Sequence, residues 1–158
     1  MGYTHYWKFE PNKVQNTEQL RKKFKKASQQ IKKFAEWLPN KGIEIRGGLG
    51  EGDPIFNETE VWFNGNQAEG LDHETFGMHW SRPNLLGNWS DFCKTARKPY
   101  DLLVCFALLT FAHIFPKEVF DFSSDGTMED TEWQHAVEYY ETFTGKTAKV
   151  PTDLKIAA

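Results

Sequence analysis

The sequence predicts an α+β fold: a single compact domain in which a mixed or antiparallel sheet of about four to six strands packs with three helices, one of them buried. Three observations carry this. Tyr3, His5, Trp7 and Phe9 alternate with other residues at a period of two, which marks a strand with four rings on one face. Leu20, Phe24, Ala27, Ile31, Phe34 and Leu38 follow the four-three spacing of an amphipathic helix. Leu102 to Phe115 is continuously apolar apart from Thr110 and His113, as expected of a helix covered on every side.

The elements follow in order. The strand at Tyr3 to Phe9 opens the chain, and the helix at Thr17 to Leu38 is preceded by Asn16, which with Gln19 forms a weak capping box, and is stopped by Pro39. Short β-rich pieces at Ile43 to Arg46, Glu60 to Asn64 and Glu74 to Trp80 are separated by Gly47-Gly48, Gly50, Gly52-Asp53-Pro54 and Asn64-Gly65, so an antiparallel meander is expected. After a loop at Ser81 to Ser90 comes an extended piece, Asp91 to Thr95. The buried helix is expected from Pro99, where a missing N–H costs nothing, to Phe115. A strand at Val119 to Ser123, a turn at Ser124-Asp125-Gly126 and a helix at Asp130 to Phe143 complete a domain spanning residues 1–145. Residues 146–158 read as a loosely held tail.

With 158 residues, 39% apolar and 26% charged, the chain has material for one packed core and no case for disorder. Leu20 to Lys33 carries seven cations and no acid, leaving −10 for the rest of a chain whose net charge is −3. Such a stripe attracts anionic partners, yet a pI near 6.0 is unlike that of a nucleic-acid binder, so nucleic acid is the less favoured partner and a solvated helix face the plainer account. Cys93 and Cys105 form no disulfide framework and no metal-binding pair. The apolar run of about fourteen residues is shorter than a bilayer span. With no leader-like segment at its start, the chain is expected in the cytoplasm, without a membrane partner.

Chemistry concentrates in three places. Lys94, Thr95, Arg97 and Lys98, with Tyr100 and Asp101 following, place three cations and a hydroxyl ahead of a helix, where free N–H groups already favour an anion; the plainer account is a solvated basic turn with Asp101 complementing the helix dipole. Tyr3, Thr4, His5 and Tyr6 bring polar-tipped rings able to stack on a base and bond its edge, whereas Trp7 and Phe9 read as core. Ser124 and Asp125 lie in a turn after a strand, where turn chemistry alone would also select them. No Walker loop, H-E-x-x-H or G-x-S-x-G is present. His73 and His79 lack metal-ligand spacing, and His113 and His135 read as structural. No cofactor, metal site or catalytic set is expected.

The segments Met1 to Trp7, Asp91 to Leu103 and Phe122 to Gly126 resemble a family of small bacterial and phage proteins in which an M-G-Y-T-H-Y-W start, an F-C-K-T-A-R-K-P-Y-D segment and a later S-S-D-G turn recur in that order. The resemblance implies no particular activity. It strengthens Tyr3, Thr4, His5, Lys94, Thr95, Arg97, Lys98, Tyr100, Asp101, Ser124 and Asp125 as site residues, and its phage setting implies a sponge that sequesters a nucleotide signal of host immunity. The expectation is therefore a binding protein for a phosphate-bearing nucleotide, ADP-ribose-derived or a cyclic dinucleotide. Alternatives are an enzyme acting on such a nucleotide and a nucleic-acid or protein interaction module using the basic first helix. A homo-oligomer is open.

Overall fold

The computed structural model describes residues 3–13, 16–84 and 86–154, with no account of the side chains at 12 and 153. The Met1-Gly2 start of the first motif and the last four residues of the expected tail lie outside them. Among the described residues, in chain order, are β1 (Thr4–Phe9), α1 (Thr17–Trp37), β2 (Ile55–Phe56), β3 (Glu60–Phe63), β4 (Phe76–His79), β5 (Ser90–Lys94), α2 (Asp101–Ile114), β6 (Phe120–Ser124) and α3 (Thr131–Thr144).

The expected α+β domain is present, but its six strands form two antiparallel three-stranded sheets, in the orders β5-β1-β6 and β2-β3-β4. In the first, β5 and β6 are joined through α2 and both run antiparallel to β1, which lies between them as in a split βαβ unit. His5, Trp7 and Phe9 point inward from β1 with Tyr3 just ahead of it, while Tyr6 and Lys8 are exposed on the other face. The period of two in the sequence thus becomes two chemically distinct faces.

The inner face is covered by α2, whose nine residues from Leu103 to Phe111 are all wholly inaccessible to solvent. Phe34 on α1 stacks on Phe106 at 4.1 Å, and Phe106 meets Tyr140 of α3 at 5.6 Å, so α2 is flanked by two helices as well as the sheet. The second sheet joins this core through Trp7 and Phe76, whose ring centroids are 4.8 Å apart, and through reciprocal bonding of Glu74 and Lys94 at the β5 edge. No described helix is long and apolar enough to cross a membrane.

Several expectations need correction. Ile43 to Arg46 is not a strand: after the left-handed Gly42 and before the Gly47-Gly48 turn, only Arg46 pairs, in an isolated bridge with Asn64. The buried helix starts at Asp101, not Pro99, because Ala96 and Arg97 adopt φ of 51° and 57° and the chain needs Lys98 to Tyr100 to turn back. The segment after Gly145 is anchored as far as Leu154, which is buried and accepts a 2.7 Å hydrogen bond from Met128 N.

Candidate functional site

Three stretches that are distant in sequence meet where the N-terminal end of β1 adjoins the C-terminal end of β6 and the first turn of α2. The register sets His5 opposite Ser124 on one side and Cys93 on the other. Ser124 Oγ accepts hydrogen bonds from Trp133 Nε1 at 3.1 Å and from the Gly126 amide at 2.9 Å, which occupies both its lone pairs. Its own proton is then left for His5 Nδ1, 2.7 Å away. That assignment makes Nε2 the protonated ring nitrogen, donating to Asp101 Oδ1 at 2.6 Å.

Asp101 is the convergence point. Oδ1 also accepts from Thr95 Oγ1 at 2.5 Å, and Oδ2 from Cys105 Sγ, one helical turn on, at 3.5 Å. The result is a satisfied chain from Ser124 through His5 and Asp101 to Thr95, with His5, Thr95, Asp101 and Cys105 buried. His5, Asp101 and Cys105 also place ligand atoms within 4.8 Å of one another, a possible metal set. The 2.6 Å nitrogen-to-oxygen separation and the two further donors on Asp101 fit hydrogen bonding better. The Cys105 thiol is pushed well up by burial and then by the Asp101 charge, which disfavours a metal-binding thiolate.

Tyr3 and Arg97 close the site from outside. Arg97 lies 4.0 Å over the Tyr3 ring while its guanidinium bonds Glu132 at 2.9 Å and stands 3.6 Å from Asp130. Burial raises the Tyr3 hydroxyl pKa, and a β-carbon at Gly126 would fall 2.0 Å from Tyr3 Oη, so only glycine fits there. Thr4 N donates to Asp125 Oδ2 at 3.1 Å, and Tyr6 reaches Asp125 Oδ1 at 3.3 Å.

The expected anion loop is therefore only half of what its spacing suggests. Thr95 and Asp101 turn into the core, and Tyr100 donates to the Glu74 carbonyl at 2.5 Å. Arg97 is engaged by carboxylates of α3 and its approach, and Lys98 donates to the Gly70 carbonyl at 3.1 Å. Lys94 is on the exposed β5 edge. The three cations do not converge, because consecutive left-handed residues at 96 and 97 splay the side chains on either side of them.

The open face of the first sheet carries a groove of about 990 Å³ that the sequence does not announce. Tyr6 and Phe92, directly opposite in register and 43% and 50% exposed, both line it. Lys8, Lys117 and Lys149 line it together with Asp121 and Ser123. Of these, only Tyr6 was expected as a site residue. Phe92 was legible from the alternation of β5, where Cys93 points inward; Lys117 and Lys149 join from distant segments and left no local signal. No protein-family model matches the chain, and neither does any curated protein or solved structure.

Proposed function

We propose that the protein binds a phosphate-bearing nucleotide in the groove over β5, β1 and β6. The observation carrying this reading is that two exposed rings, Tyr6 and Phe92, stand at opposed strand positions where a base can stack, in a groove whose volume suits a small ligand. Lys8, Lys117 and Lys149 supply charge for phosphate, and Ser123 and Asp121 offer an acceptor-rich edge for ribose or base. The site differs from the expected Lys94 to Lys98 loop, while the ligand class is the same. In the phage setting implied by the resemblance, such binding would withdraw an immune signalling nucleotide without transforming it.

The order Ser124, His5, Asp101 favours a second reading, a hydrolase of the same nucleotide with Ser124 as nucleophile. Against it, Ser124 Oγ already carries two N–H donors and His5 is fully buried. Incubation with cyclic ADP-ribose species, histidine-ADP-ribose, cyclic dinucleotides and mononucleotides, followed by heat release and chromatography, tests both readings. Recovery of one ligand unchanged at about one per chain supports binding. Product exceeding protein many-fold, abolished by Ser124→Ala, establishes turnover. No retention of any nucleotide overturns the proposal.

A further inference from the structure

A second groove, of about 310 Å³, opens between the two sheets and shares Trp7, Asn84, Asn88 and Asp91 with the larger one. The two are therefore adjoining rooms with a common wall. In the smaller, Trp62 of β3 faces Gly77 of β4 in register, and a β-carbon on Gly77 would lie 2.6 Å from two atoms of the indole ring. Only bare backbone allows the indole to lie down across the neighbouring strand. Trp62 nevertheless remains 37% exposed, so it presents a flat aromatic surface to the groove. Exposed Arg82 and His79 line the same space, and the His79 pKa is lowered by burial and then by the Arg82 charge.

Resting on the nucleotide reading of the larger groove, we infer that the smaller groove receives a second nucleotide unit of the same ligand, so that the preferred ligand carries two bases joined through phosphate. One base stacks on Tyr6 and Phe92 and the other on Trp62. Arg82, a planar donor fork, bonds phosphate on the second unit. Linking two subsites makes the second contact intramolecular, so the pair binds more tightly than either half.

Titration calorimetry of the full chain with AMP, the linear dinucleotide pApA, cyclic di-AMP and a ten-residue oligoadenylate tests this. At least tenfold tighter binding of a dinucleotide than of AMP is expected, with Arg82→Ala removing about tenfold from the dinucleotide while leaving AMP unchanged. Trp62→Ala should act in the same selective way, and Arg82→Ala keeps the test valid should Trp62→Ala disturb β3. Equal affinity for pApA and the ten-mer assigns a free dinucleotide, and a further tenfold for the ten-mer assigns a single strand; both uphold two subsites. AMP and dinucleotide binding equally, or Arg82→Ala weakening neither, overturns the second subsite alone. Failure of every nucleotide to bind would instead remove the larger groove's reading.

Discussion

His5 Nε2 lies 2.6 Å from Asp101 Oδ1, two side chains 96 positions apart that have at most 2% of their surface exposed. The contact pins the central strand to the first turn of the buried helix, and both ring nitrogens of His5 and both carboxylate oxygens of Asp101 have hydrogen-bond partners, whereas the buried Tyr3 hydroxyl beside them has none. Such a network is costly to break and cheap to keep, because a lone unpaired donor in the core forfeits its hydration without return.

Asp101→Asn should therefore destabilise strongly, since an amide nitrogen is a donor and His5, Thr95 and Cys105 already present donors to this side chain. A loss of about 3 kcal/mol is expected, or roughly 6–12 °C in Tm for a chain of this size. Urea denaturation followed by far-ultraviolet circular dichroism measures it. A change below about 1 kcal/mol would mean that the chain of hydrogen bonds is looser than its geometry implies.

The turn at Ala96 and Arg97 gives a change in the opposite direction. Both residues have positive φ, with Lys98 N bonded to Thr95 O at 3.0 Å, the arrangement that favours Asn-Gly in tight turns. Ala96→Gly removes the β-carbon penalty at the cost of a more flexible unfolded chain, for a net gain of about 0.5–1 kcal/mol. Arg97→Gly should not gain, because it also loses the contacts to Tyr3, Asp130 and Glu132. If Ala96→Gly lowers the urea midpoint, Ala96 is not held in the left-handed region.

How much of this was legible depended on whether the cause was local. The inward row of His5, Trp7 and Phe9 was readable because a period of two belongs to the strand itself, and α1 was readable from its four-three spacing. The same logic failed at Lys94 to Lys98: proximity in sequence suggested convergence, but the orientation of Arg97 is decided by Asp130 and Glu132, and that of Lys98 by the Gly70 carbonyl. Splitting of the strands into two sheets was hidden too, since pairing partners are tertiary choices. The outer groove escaped for a related reason, its lysines arriving from residues 117 and 149, far from β1.

Alkaline pH should weaken the fold. Burial is the leading cause raising the pKa of Cys93, Cys105, Tyr3 and Tyr100, so the folded state favours their neutral forms. The sign follows from linkage: a group with a raised folded pKa contributes fully below its unfolded value and loses that contribution as pH climbs toward the folded one. For the thiols the decline begins near their ordinary value of about 9, and tyrosines add to it from about 10. Urea midpoints at pH 7.5, 9 and 10.5 should fall in that order above 9, and a flat profile would show that these groups ionise freely in the folded protein.

Arg97 and Phe92 separate the loop from the groove as the ligand's seat. Arg97 is 47% exposed and engaged with Glu132, so Arg97→Ala should cost stability modestly, by about 1 kcal/mol or less, as exposed ion pairs do. Because Arg97 does not line the groove, nucleotide affinity should stay within twofold of the unsubstituted protein. Phe92→Ala should do the reverse. It removes a half-exposed ring whose loss leaves no buried cavity, yet it takes away one stacking surface, worth about 1–3 kcal/mol per base, or roughly five- to a hundredfold in affinity. Calorimetry with the retained nucleotide, paired with thermal melts of each variant, reads both quantities. If Arg97→Ala instead loses tenfold or more in affinity while Phe92→Ala loses none, the ligand sits on the basic turn, and the aromatic face of the sheet serves some other contact.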